Sequence, residues 1–414
     1  MGLLKFENLP VNTLVGADKK TFDTVTHSAE IDEDRRHKFV VTKRIRRMLD
    51  PFYAINEKRY ASLSPNPNTE APVFILGHWR SGTTFVHNVL SCDDSFGCCS
   101  TYQTVFPHLM LWGRPFFKRC MSLVMPSERP TDSMALGVDL PQEEEFALSN
   151  MTACAHYHFW MFPRRMAEYR DKYLTFTTAT EAERQEFMQA LDKLIRISLH
   201  VTGKKRFLSK NPPHTGRIKT LLELYPDAKF IYLVRNPYAV FESTRSFFRN
   251  TLASIRLQSI SDEELEHEIL LNYRALYEHY EADKPLVPEG HLIEVRFEEF
   301  ESHPLETAKA IYQKLSLGDF EQVRPILGRR AASMGLPAMT GFRFGFVLAL
   351  IPCSATVRAR DVVSAGERYE MTAQDSVVQS KSELRQMRRD SIRRHKNVWI
   401  SMLGGPSYTP EASF

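Results

Sequence analysis

Short apolar runs alternate with stretches of helical periodicity along most of this 414-residue chain. Val73-Phe74-Ile75-Leu76 is continuously apolar between Pro72 and Gly77, the pattern of a strand buried on both faces; beyond Thr84, Val86, Val89 and Leu90 regain helical spacing. Phe230 to Val234 is a second run of this kind. Arg206-Phe207-Leu208-Ser209 and Leu292-Ile293-Glu294-Val295-Arg296 are shorter strand candidates, each with a helix after it. Residues 181 to 202 place Phe187, Met188, Leu191, Leu194, Ile195 and Leu199 on one side of a helix. This repeated strand, turn and helix predicts an α/β fold, a three-layer sandwich around a central, largely parallel sheet.

The flanks follow other patterns. Residues 1–29 carry weak signals and suggest an extended arm. From Ile31 to about Leu63 the pattern is basic and helical, with Pro51 expected to interrupt it. Arg35, Lys38, Lys43, Arg44, Arg46 and Arg47 there form either a solvated helix face or a surface for anionic lipid. Ser64-Pro65-Asn66-Pro67-Asn68 reads as a linker into the first strand. The expected division is a helical extension over 1–70, an α/β core over 71–330 and a helical covering segment over 331–414. Residues 331–366 fit no pattern beyond a lid, a membrane-touching loop or an insertion.

Composition changes this picture little. A hydrophobic fraction of 43% and a charged fraction of 25% belong to an ordinary globular protein, and Lys+Arg 54 against Asp+Glu 50 gives 54 − 50 = +4, too weak an excess to imply a nucleic-acid partner. Cys92, Cys98, Cys99, Cys120, Cys154 and Cys353 have neither zinc spacing nor the density of a disulfide scaffold. The N-terminus lacks a secretory apolar core, and the longest apolar run, Phe346 to Ile351, is far below the ~20 residues that cross a bilayer. These features predict a cytoplasmic protein; they leave its oligomeric state open.

The chemistry concentrates after the first strand. Gly77-His78-Trp79-Arg80-Ser81-Gly82-Thr83-Thr84 has the glycine spacing of a phosphate-binding loop, where backbone N–H groups and a helix N-terminus converge on an anion. Nucleoside triphosphatases carry a lysine after the second glycine; here Thr83 stands there and the cation is Arg80. That difference argues against ATP or GTP and for a shorter anionic chain, with no magnesium site required.

These residues resemble the 5′-phosphosulfate loop of sulfotransferases that use 3′-phosphoadenosine-5′-phosphosulfate (PAPS), especially the bacterial and tyrosylprotein-type branch whose loop reads Arg-Ser-Gly-Thr-Thr. The resemblance implies a P-loop-like fold, PAPS as donor and no metal, with Gly77, Arg80, Ser81, Gly82, Thr83 and Thr84 around the phosphosulfate. Two further segments match in order. Lys210-Asn211-Pro212-Pro213-His214 resembles the family's Lys-x-Pro-x-His segment, whose lysine lies near the transferring sulfonate; a cation there stabilises charge on the bridging oxygen as the S–O bond breaks. His214 is a candidate base, a helix cap or an acceptor-orienting group. Arg235-Asn236-Pro237, with Ser243 eight residues on, resembles the 3′-phosphate motif, where a guanidinium and a hydroxyl grip phosphate oxygens.

Sulfuryl transfer to an alcohol needs a base for the hydroxyl proton. Asp139-Leu140-Pro141-Gln142-Glu143-Glu144-Glu145 resembles a Pro-x-Glu-x-Glu segment of the family, and Glu143 or a neighbour is the candidate, although three acids opening a helix also suit its dipole. Many relatives carry an acid after the first helix, where this chain has Tyr102-Gln103-Thr104, so the base lies elsewhere or the acceptor chemistry differs. Large apolar groups between Phe96 and Met125, faced by His156 to Phe162, are either core or walls for a small hydrophobic acceptor, a sterol or lipid alcohol. The reading is a PAPS-dependent sulfotransferase. The alternatives are a P-loop kinase using ATP, or a non-catalytic nucleotide- or lipid-binding protein.

Overall fold

In the structure, a computed structural model describing residues 10–64, 69–125 and 137–333, the apolar runs become strands of one sheet. These are β1 (Glu70–Leu76), β2 (Phe96–Gly97), β3 (Arg206–Lys210), β4 (Lys229–Val234) and β5 (Leu292–Arg296). Their order is β2-β3-β1-β4-β5 and every pairing is parallel. Ile75 lies beside Lys210 on one side and Ile231 on the other, so β1, β3 and β4 end at one level.

Helices cover both faces. Two, α1 (Lys19–Thr26) and α2 (Arg36–Ala61), precede the sheet; α3 (Thr83–Leu90), α4 (Thr101–Val105), α5 (Arg114–Val124), α6 (Glu144–Met151), α7 (Met166–Tyr169) and α8 (Glu181–Thr202) lie between β1 and β3. Next come α9 (Ile218–Leu224), α10 (Pro237–Ile255) and α11 (Asp262–Asp283), then α12 (Phe297–Ser302), α13 (Pro304–Lys314) and α14 (Phe320–Ser333). Val73 to Leu76 are fully buried because both faces are covered. Val73 and Ile75 pack with Val86, Leu90, Ile311 and Leu327 on one face. On the other, Phe74 stacks on Phe230 at 5.8 Å and meets the His214 ring edge-on at 5.5 Å. The start of α8 is fixed by a capping box in which Thr180 and Glu183 satisfy each other's backbone N–H groups.

The helix containing Pro51 runs unbroken from Arg36 to Ala61, contrary to the interruption expected. Proline removes one intrahelical bond. Tertiary contacts hold the turns on either side: Asn12 N–H donates to Thr42 Oγ1 at 3.0 Å, Tyr53 Oη to the Gly16 carbonyl at 3.1 Å, and Asn56 Oδ1 accepts from the Leu111 and Trp112 amides, both at 2.8 Å. The residues read as an extended arm include, from residue 10 on, a 3₁₀ turn at Thr13–Gly16 and α1, whose start Asp18 caps. Linker residues 65–68 and the covering segment from 334 to 414, with Cys353, lie outside the described residues.

Candidate functional site

The loop between β1 and α3 is shaped by three residues in the left-handed region, Gly77 (φ 138°), Arg80 (φ 67°) and Gly82 (φ 98°). It is tied down from outside. Gly77 N–H donates to Thr215 Oγ1 at 2.8 Å, and Thr244 Oγ1 donates to the Trp79 carbonyl at 3.2 Å. A Cβ on Gly82 would meet the Phe297 ring at 2.0 Å, so the second glycine is required by both conformation and space. No side chain caps the α3 N-terminus, and the buried Ser81 Oγ has no hydrogen-bond partner among the described residues. Orphan N–H groups, the helix dipole and an unused hydroxyl at one turn suit an anion. His78 is neutral here, since burial pushes its pKa down to about 4.

Arg80 and the third motif converge. Arg80 Nε donates to Ser243 Oγ at 2.9 Å, and an Arg235 terminal nitrogen donates to the Arg80 carbonyl at 2.7 Å. The Arg235 guanidinium lies over the Phe297 ring, 4.5 Å from its centre, and that of Arg80 over Phe247 at 5.5 Å. The sequence assigns Arg80 to the phosphosulfate and the Arg235–Ser243 pair to the 3′-phosphate. In the structure they form one cationic corner.

The second motif meets the acidic segment. Lys210, at the end of β3, donates from Nζ to Glu143 Oε1 at 2.6 Å, and the pair is almost fully buried. Glu143 also accepts a short hydrogen bond from the Tyr157 hydroxyl, which itself accepts from Trp79 Nε1 at 2.8 Å. Burial, reinforced by the Glu143 charge, pushes the Tyr157 hydroxyl well above its usual range, so it acts as a donor. A continuous hydrogen-bonded path thus runs from Trp79 in the loop through Tyr157 and Glu143 to Lys210. Tyr157 was not a predicted site residue, and its place in an aromatic run gives no sign of this role.

The three acids separate. Glu143 stands just before α6 without capping it, while Glu144 and Glu145 open the helix. Glu144 accepts from the Lys210 amide at 3.2 Å, and burial pushes its carboxyl up to about 8. Burial would raise Glu145 too, but the Arg217 guanidinium, bound through both carboxylate oxygens at 2.8 Å, holds it down to about 2. His214 belongs to this interior cluster. It is fully buried between Phe74 and Phe187, beside Asn211, and burial drops its pKa to about 3. Gln103 donates to Ser198 Oγ at 2.7 Å, spending its amide on helix packing. Of the expected walls, His156 to Phe162 are packed solid, whereas Phe116 and Leu123 point into solvent.

Comparison with known proteins follows the same outline. Two curated relatives, each named omega-hydroxy-beta-dihydromenaquinone-9 sulfotransferase Stf3, from Mycobacterium bovis and Mycobacterium tuberculosis, are 32% identical over 261 residues, covering 62% of this chain. The matched stretch spans 66% of their length, just under two thirds. The fold is similar to that of sulfotransferase STF9 from Mycobacterium avium, with a TM-score of 0.56 and 15% identity over 80% of this chain and 84% of that one. A profile of the sulfotransferase family matches residues 72–322. Because that match takes in the phosphate loop, the Lys210 segment and the Arg235–Ser243 segment on one continuous sheet, the chain belongs to the sulfotransferase family.

Proposed function

We propose that this protein transfers a sulfuryl group from PAPS to the hydroxyl of a hydrophobic alcohol, a lipid of the kind that the relatives' names describe. The observation that carries this reading is the buried Lys210–Glu143 contact of 2.6 Å at the carboxyl edge of the sheet, linked through Tyr157 to Trp79 of the loop. It puts a cation and a carboxylate, with opposite tasks, beside an anion-binding turn.

PAPS, when bound, supplies an electrophilic sulfuryl group on a phosphate leaving group. The loop Gly77 to Thr84 fits such an anion: its Gly82, Thr83 and Thr84 N–H groups, the Ser81 hydroxyl, unpartnered among the described residues, and the α3 dipole are there for the phosphosulfate. Arg235 and Ser243 hold the 3′-phosphate, and Arg80, bonded to Ser243, links that corner to the loop. Lys210 steadies the charge that grows on the bridging oxygen. Glu143 accepts the acceptor's hydroxyl proton, while Tyr157 fixes the carboxylate's orientation. His214, neutral and enclosed by aromatic rings, orients the Lys210 segment from behind. No protein-bound metal is needed for these roles, as positioning and electrostatics carry the transfer.

Transfer of labelled sulfate from PAPS into a panel of lipid alcohols tests the reading. Glu143→Gln keeps the shape and one hydrogen bond to Lys210 but cannot take a proton. Turnover should fall by roughly 10²- to 10⁴-fold with donor affinity retained. Undiminished turnover would remove Glu143 from the base role.

A further inference from the structure

The outer side of α2 carries a cluster of exposed cations. Many surface cations elsewhere are paired, as in Lys20–Glu186, Lys193–Glu57, Arg249–Asp262 and Lys309–Glu321. On α2 the exposed Arg36, Lys43, Arg44 and Arg47 have no carboxylate within ion-pair distance among the described residues. They lie one to two turns apart and share one side of the helix. Arg46, turned inward, is the one that pairs, with Asp50 at 2.6 Å.

Beside these cations runs an apolar stripe at helical spacing, Ile45, Met48, Phe52 and Ile55, in which Met48 is 72% exposed. Phe52 at the stripe's edge packs on Phe117 of α5, ring centres 5.2 Å apart, so α5 touches α2 on its apolar side. The solvent side of α5 continues the theme. Phe116, Arg119, Cys120 and Leu123 share one stripe, with Phe116 65% and Leu123 59% exposed. Two neighbouring helices therefore offer large apolar side chains to solvent with a rim of unneutralised cations.

We propose that the outer faces of α2 and α5 form a docking surface for a bilayer containing anionic phospholipid. Charge complementarity selects the occupant: the cations meet headgroup phosphates, and Met48, Phe116 and Leu123 enter the acyl boundary. An RNA or an acidic protein would satisfy the cations but leave those three side chains in water. This inference goes beyond the transfer reaction and does not depend on it, since the vesicles used below contain neither donor nor acceptor.

The test is co-sedimentation of the full chain with vesicles of phosphatidylcholine, alone or mixed with phosphatidylglycerol. The expected result is binding to the mixed vesicles that weakens with salt. Arg44→Glu/Arg47→Glu should reduce it by roughly tenfold or more. Met48→Ser/Phe116→Ser/Leu123→Ser should reduce it comparably while leaving retention on heparin unchanged. All five positions are exposed, and unchanged thermal melting of the variants verifies the fold. Equal binding to neutral and mixed vesicles, or binding that neither set of substitutions weakens, would overturn the proposal. So would retention on heparin without any vesicle binding, which would assign the surface to a polyanion.

Discussion

Three consecutive carboxylates, Glu143, Glu144 and Glu145, show how one residue type is given three environments. Glu143 reaches Lys210 and Tyr157, Glu145 is clamped by Arg217, and Glu144 is buried with one oxygen lacking a partner among the described residues. The last two have opposite linkage to pH. Glu145, held at about 2 against an ordinary 4.5, contributes stability that is present above pH 4.5 and lost as pH falls towards 2. Glu144, raised to about 8, binds a proton in the folded protein that the unfolded chain releases above pH 4.5, so its contribution falls as pH rises from 4.5 to 8. Glu144→Gln removes that penalty and keeps an acceptor for the Lys210 amide. Melting curves should show the variant gaining on the parent steadily between pH 5 and 8; a constant difference across that range would mean that Glu144 is ionised in the fold.

At the scale of elements, the turn from β1 to α3 has the narrowest tolerance. Gly82→Ala places a methyl group against Phe297 in a left-handed conformation, a cost on the order of 1–3 kcal/mol, and distorts the N–H groups proposed to bind the anion. Loss of stability together with loss of donor binding is the expected outcome in denaturant melts and titrations; unchanged donor affinity would mean that the loop is not the anion site. Elements that depend on local pattern were legible in the sequence. Val73 to Leu76 read as a doubly buried strand because the central position of β1 demands an unbroken apolar run, and α8 occupies the residues 181 to 202 that its apolar spacing predicts. What the chain does not encode locally was missed. The continuity of α2 through Pro51 comes from Asn12, Gly16 and residues 111–112 packing against it. The apolar groups of α5, read as core or wall, face outward because only Phe117 and Met121 meet the interior cluster. Tyr157 reaches Glu143 through a 3₁₀ turn whose orientation is set by neighbours distant in sequence.

For the whole molecule, the parallel order β3-β1-β4 is what gathers the site. Each strand delivers one motif at its carboxyl end: Lys210 from β3, the phosphate loop from β1 and Arg235 from β4. The motifs were readable singly because each is local to a strand end. Their union followed only from the family resemblance, and the contacts that join them were not readable, since the Arg80–Ser243 bond and the path from Trp79 to Lys210 join segments 78 to 163 residues apart in their longest steps. The central claim is that this edge of the sheet binds a nucleotide carrying both a 5′- and a 3′-phosphate. The most direct measurement is calorimetric titration of the protein with adenosine 3′,5′-bisphosphate in EDTA, against AMP and ATP, repeated with Arg235→Ala. Selective, metal-independent binding of the bisphosphate that is lost in the variant is the result predicted. Affinity no better than for AMP, or unaltered by the substitution, would contradict the account.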